Sequence, residues 1–167
     1  NNAYSTTSDN EFNWFRWGEW RAADERHRMK DFVAQMAALR REGSDAFSPS
    51  DWGAGQAMGW KNAANQDLQD WNTLHLMQHY YGTDSDEQSE WVVLWNFESQ
   101  DIAFTLPTGR DWVRLVDTQS YFDQDSYFEG VEDADLRSSA NIDLNNAQPV
   151  GSTYTVKAQS VVVLRQL

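Results

Sequence analysis

At Gly43 the hydrophobic period of this chain changes, and it does not change back. Ahead of that point Met29, Phe32, Val33, Met36, Leu39 and Arg40 recur at three- and four-residue steps, which predicts one face of an amphipathic helix over residues 23–41. Asp24 and Glu25 in the first turn and Arg40 and Arg41 in the last complement the helix dipole. Gly43 is expected to end the helix in the left-handed conformation that glycine adopts without strain.

Beyond Gly43 the chain breaks into short extended runs separated by Gly, Pro, Asp, Asn and Ser. The runs richest in β-branched and aromatic residues predict strands over 74–81, 90–97, 102–106, 112–117, 153–156 and 160–165. Pro107-Thr108-Gly109 is a turn between two of them, with Gly109 supplying the permissive backbone. Strands at this spacing without helices between them pair antiparallel, so the expected class is mostly β, an antiparallel β-sandwich preceded by a loop and one amphipathic helix. The acidic stretch 122–150 reads as a surface excursion.

Composition narrows the functional classes. With 26 acidic residues against 13 basic ones, the field around the molecule repels phosphate backbones and anionic lipid, so nucleic acid is not an expected partner. No run approaches the roughly 20 apolar residues of a membrane helix, and no membrane partner is expected. The chain has no cysteine, hence no disulfide and no thiolate chemistry; either a cytoplasmic or a secreted setting is compatible with that. Nine tryptophans lift the aromatic share to 14%, more than a core of this size requires. Sandwich cores and inter-domain seams take up rings of this kind, and sugar-binding surfaces are a further outlet.

Several motifs then resemble one family. Asn1-Asn2-Ala3-Tyr4, Asp9-Asn10-Glu11 and Asn13-Trp14-Phe15-Arg16-Trp17 look like the segment after the last barrel strand of isoamylases and bacterial glycogen debranching enzymes, in the α-amylase superfamily. Residues 32–41, ending Leu39-Arg40-Arg41, resemble that family's final barrel helix. Gly59-Trp60 and Asp70-Trp71 are similar to its entry into the C-terminal β-domain. Phe104-Thr105-Leu106-Pro107, Trp112, Val116-Asp117-Thr118 and Ser160-Val161-Val162-Val163-Leu164 are similar to its sandwich strands. Ser5-Thr6-Thr7-Ser8 departs from the family's usual link, and 123–135 aligns with nothing in it.

The resemblance implies that residues 1–45 are the end of a (β/α)8 catalytic barrel and 46–167 a C-terminal all-β domain. It implies a parent that cleaves α-1,6 branch linkages in glycogen or amylopectin by a retaining mechanism needing two carboxylates. In the family those carboxylates precede the point where this chain begins, so no catalytic residue is assigned, and the missing barrel is an expected partner alongside α-glucan and maltooligosaccharide. The start, Asn1-Asn2 without Met, is read as a piece whose upstream part is absent. No cofactor is expected. The alternative is a stand-alone glucan-binding β-module using exposed tryptophans such as Trp52, Trp60 or Trp112.

Candidate substrate-contacting residues are Tyr4, Asp9, Asn10, Glu11, Trp14 and Trp17, with Phe15 in the same aromatic cluster. Loops at the C-terminal ends of barrel strands form the cleft in such enzymes, and flat rings suit the apolar faces of glucose. The same rings serve equally to pack a loop under the barrel rim. His75 and His79 share a strand face but lack a third ligand, so no metal site is assigned. Asp84, Asp86, Glu87 and Glu90, like the run 123–135, lack the glycine and terminal glutamate of a calcium loop and are expected to form a solvated acidic face.

Overall fold

The computed structural model describes residues 24–48, 57–81, 90–118 and 148–167. The chain forms helix α1 (Asp24–Glu42), a single turn α2 (Ser44–Phe47), and strands β1 (Met58–Lys61), β2 (His75–Tyr80), β3 (Trp91–Asn96), β4 (Ile102–Thr105), β5 (Trp112–Asp117), β6 (Gln148–Val150), β7 (Thr153–Val156) and β8 (Ser160–Gln166). Six strands build one antiparallel sheet in the order β1-β2-β3-β8-β5-β6, and β4 pairs with β7 in a second. Among the described residues the fold is mostly β with one long helix, as the change of period at Gly43 predicts.

Strands β3 and β8 occupy the middle of the large sheet, and their sequences, WVVLWN and SVVVLRQ, are apolar on both faces. A strand buried on two sides loses the polar alternation of a half-exposed one. Val92, Leu94, Val162 and Leu164 point to the small sheet and pack with Met77, Phe104, Leu106, Trp112 and Val156. Trp91, Val93 and Val163 point the other way and pack with Leu39, Ala46 and Val116, flanked by Phe32, Met36 and Phe47 of the helical segment. The layers are therefore helix, six-stranded sheet, two-stranded sheet. The apolar face of the helix docks on the sheet of its own chain.

That docking rotates the helix relative to the face read from sequence. Phe32, Gln35, Met36, Ala38 and Leu39 turn inward, while Val33, at 58% exposure, and Arg40 turn to solvent. The periodic set spans more than one side of the helix, and packing selects only part of it. The C-terminal end is tied down by Arg165, whose Nη1 donates to Glu42 Oε1 at 3.3 Å and whose guanidinium lies 5.6 Å from the Trp91 ring centre. Phe47 of α2 wedges between Tyr80 and Trp91, with ring centres 4.9 and 5.1 Å away.

Gly43 is required for a different reason than the one expected. Its φ of −90° and ψ of 30° are open to any residue, so it is not a left-handed stop. A Cβ there would instead stand 2.6 Å from Phe47 Cε2 and 2.9 Å from Trp91 Cε2. Gly109 does occupy the left-handed region, at φ +76°, in the expected turn.

The crossing points between the sheets are closed by polar clamps. Asn96 is fully buried where β3 leaves for β4; its Nδ2 donates to the carbonyls of Gln100, Val156 and Lys157 at 2.8, 3.1 and 3.0 Å, and its Oδ1 accepts from Glu98 N at 3.0 Å. Toward the same end of the large sheet, two strands away on β5, the Tyr154 hydroxyl donates to Asp117 Oδ2 at 2.7 Å and accepts from Arg114 at 3.3 Å. Burial is the main cause that pushes the Tyr154 phenol up to about 12.

Two edge strands were not among the expected ones. β1 is four residues long and contains Gly59, which must stay small because an added Cβ would run into the Tyr81 hydroxyl. β6, the last three residues of the expected excursion, carries Pro149, tolerated because only one side of an edge strand needs its N–H. The four-residue α2 straddles the expected boundary between residues 45 and 46.

Two substitutions check this account by denaturant unfolding. Gly43→Ala is expected to cost about 1–3 kcal/mol through overpacking against Phe47 and Trp91; an unchanged midpoint would show that this contact yields freely. Asn96→Asp replaces the donor with an oxygen facing three carbonyls, and a loss of about 3 kcal/mol or more is expected.

Candidate functional site

The residues singled out from sequence for substrate contact, Tyr4, Asp9, Asn10, Glu11, Trp14 and Trp17, lie outside the described residues, as do Phe15, Trp52, Asp84, Asp86, Glu87 and the run 123–135. Two other groupings emerge among the described ones.

The first is a polar cluster on the inner side of β2. His79 is 6% exposed, and its Nε2 lies 2.8 Å from Glu90 Oε2. Glu90 Oε1 accepts from Arg110 Nε at 2.9 Å and from Nη2 at 2.6 Å, a two-pronged contact that suits a guanidinium. The rings of Tyr81 and Trp112 stand 4.4 and 6.0 Å from the imidazole. Glu90 therefore belongs to no solvated acidic face: its side chain is 13% exposed and both oxygens are engaged. The expected alternation does hold for the two histidines, which lie on one face of β2, and each meets its own carboxylate. His75 Nδ1 lies 3.1 Å from Glu98 Oε1 and its ring packs on Phe104. Among the described residues no three His, Asp or Glu side chains gather in a set able to hold a metal ion.

Five of the described carboxylates meet cations or a hydroxyl: Glu90 with His79 and Arg110, Glu98 with His75, Asp117 with Tyr154, Asp101 with Lys157, Asp67 with Lys61. The Lys157 contact and the Ala158 N–H hold Asp101 below the usual carboxylate range. A glycosidase pair needs two carboxyl groups facing a common space, and these contacts bring none together.

The second grouping is aromatic and lies on the α1 side of the large sheet. Trp60 of β1 and Trp71 of the β1–β2 loop touch edge to face with ring centres 5.8 Å apart. Trp95 and Phe97 at the end of β3 form another pair at 5.8 Å. Trp71 and Phe97 are 64% and 55% exposed. Trp112, offered from sequence as an exposed ring of a glucan-binding module, is instead 2% exposed and donates its indole N–H to Pro107 O at 3.0 Å. Its place on the inner face of β5 removes it from any surface site. Trp71, expected from sequence only as part of a family motif, is instead the most exposed ring among the described residues. An aromatic beside Asp and Asn in a turn-rich stretch was the available signal.

No protein-family model matches the chain, and no curated protein matches it. Among the described residues no helix is long and apolar enough to cross a membrane.

The His79 cluster gives a pH prediction. Burial pushes the His79 imidazole below its ordinary value of 6.5, more than the Glu90 carboxylate holds it up. The unfolded chain then takes up this proton more readily than the folded one. Stability linked to the group is complete above 6.5 and falls as the pH drops through 6.5 toward the lower folded value. Melting curves between about pH 7.5 and 5 are expected to fall less steeply for His79→Gln, which keeps a donor toward Glu90 without titrating. Parallel slopes for the two proteins would refute the assignment.

Proposed function

We propose that this chain is the C-terminal part of an α-1,6-glucan debranching hydrolase of the isoamylase type, in which the β-domain caps the catalytic barrel and α1 joins the two. The observation that carries this reading is the helix itself. α1 seats Phe32, Met36 and Leu39 on the large sheet while Val33 projects outward from another side. A final barrel helix must serve two neighbours at once, the barrel within and the next domain without, and apolar residues on two sides fit that demand.

The order of elements supports the same reading: a helix, then an antiparallel sandwich, in the sequence that the family resemblance implies. The contacts of the described carboxylates fit a scaffold whose hydrolytic groups are upstream. In this reading Tyr4, Asp9, Asn10, Glu11, Trp14 and Trp17 contribute the rim of the cleft, touching glucan without breaking bonds.

The purified 167-residue chain is accordingly expected to release no reducing ends from glycogen or pullulan. The natural gene product is expected to be several times heavier than this chain. Val33→Asp is expected to leave the stability of the 167-residue chain within about 0.5 kcal/mol while lowering the melting temperature of the full-length product. Equal effects in the two contexts, or hydrolysis by the short chain, would sink the reading.

A further inference from the structure

The loop between β1 and β2 is built to hold one ring in the open. Asn62 Oδ1 accepts from the N–H groups of Ala64 and Gln66 at 2.9 and 3.0 Å, Lys61 Nζ donates to Asp67 at 2.6 Å, and Leu68 N donates to Trp60 O at 3.0 Å with the Leu68 side chain buried beneath. Asp70 Oδ1 then accepts from both the backbone N–H and the side-chain amide of Asn72, at 2.9 and 3.2 Å. Trp71 sits at the apex of that turn. Nothing in the fold requires a tryptophan there, because the residue most exposed among the described rings contributes little to a core.

The ring is not isolated. Trp60 supports it from the sheet, and cross-strand pairing of Trp60 with Gln78 and of Leu76 with Trp95 places Trp60, Gln78 and Trp95 on one face. β1 and β3 are two strand spacings apart, about 10 Å. Between the two aromatic pairs Gln78 accepts the Trp95 indole N–H at 2.7 Å, and the Phe97 N–H donates to Leu74 O at 2.8 Å.

We propose that Trp60 and Trp71, with Trp95 and Phe97 beyond them, form a binding surface for a chain of neutral pyranose rings. Each pyranose presents an apolar C–H face rimmed by hydroxyls. The flat exposed indole of Trp71 and the exposed ring of Phe97 match the face, and the exposed Asp70 and Asn72 beside Trp71 match the rim. The formal charge of −13 argues against stacked nucleobases on a phosphate backbone and against anionic lipid, the other ligands that exposed rings accept. The choice of α-glucan among neutral glycans rests on the functional reading above; the surface itself does not.

Calorimetric titration of the 167-residue chain with maltoheptaose is expected to give saturable binding at millimolar or tighter affinity. Trp71→Ala is expected to weaken it roughly tenfold or more, and Trp71→Phe, which keeps a flat ring, by less. Far-ultraviolet circular dichroism and melting curves of both variants are expected to match the parent chain. Unchanged affinity in Trp71→Ala overturns the proposal, and so does failure of the parent chain to bind maltoheptaose, cellohexaose and mannohexaose alike. Binding of cellohexaose or mannohexaose but not maltoheptaose, lost in Trp71→Ala, supports the surface and removes α-glucan as its ligand. Self-association that Trp71→Ala abolishes, without sugar binding, overturns it by making the face a contact between copies.

Discussion

Everything in this fold depends on covering β3 and β8 from both sides. Val92, Leu94, Val162 and Leu164 on one face and Trp91, Val93 and Val163 on the other are all buried. Each such side chain contributes on the order of 1.5–3 kcal/mol when removed from water, so neither face can be left bare. The two-stranded sheet covers one, and the helical segment covers the other. This makes α1 a structural layer of the β-domain rather than an appendage to it, whatever lies upstream.

Covering a sheet with a second sheet forces the chain to cross between them, and each crossing exposes carbonyls that the ladders cannot use. Asn96 answers this by donating to three of them from one amide, and Tyr154 with Asp117 joins the two sheets at β5. Buried polar groups of this kind are tolerable only when their partners are present. The same rule explains the His79, Glu90 and Arg110 cluster. A buried carboxylate held by a guanidinium and an imidazole resembles catalytic machinery, yet both of its oxygens are engaged, and its position seals the edge of the sandwich between β2 and the start of β3.

The six stronger strands and the helix were legible because their signals are local. Runs such as Trp91–Asn96 and Ser160–Gln166 are apolar whichever face is considered, and the three- and four-residue recurrence ahead of Gly43 has no competing reading. β1 and β6 were hidden by their shortness and by Gly59 and Pro149, residues that weaken a strand signal and are admitted here at sheet edges. Gly43 was recognised as special for the wrong cause, since what demands it is the packing of Phe47 and of Trp91, the latter distant in sequence, and not its backbone conformation. Trp112 was expected to be exposed and is covered for a similar reason: composition counts rings, but only the register of β5 and the turn at Asp70 decide which ones are covered. Of the candidate site, the residues between Tyr4 and Trp17 rest on resemblance alone.

The aromatic excess can now be divided. Among the described tryptophans, Trp91 and Trp112 belong to the two cores, one on each face of the large sheet. Trp95 and Trp60 are half-buried, each with one side against the sheet, and Trp71 rests on Trp60 with most of its surface in water. Exposure thus rises from the middle of the sheet to the loop beyond its β1 edge, where hydrogen bonds from Asn62, Lys61 and Asp70 hold the turns. Ordering a loop costs conformational entropy, and displaying a large ring in water recovers none of it. A hydrogen-bonded turn presenting an exposed indole therefore owes little to the stability of the fold, as the proposed binding surface requires.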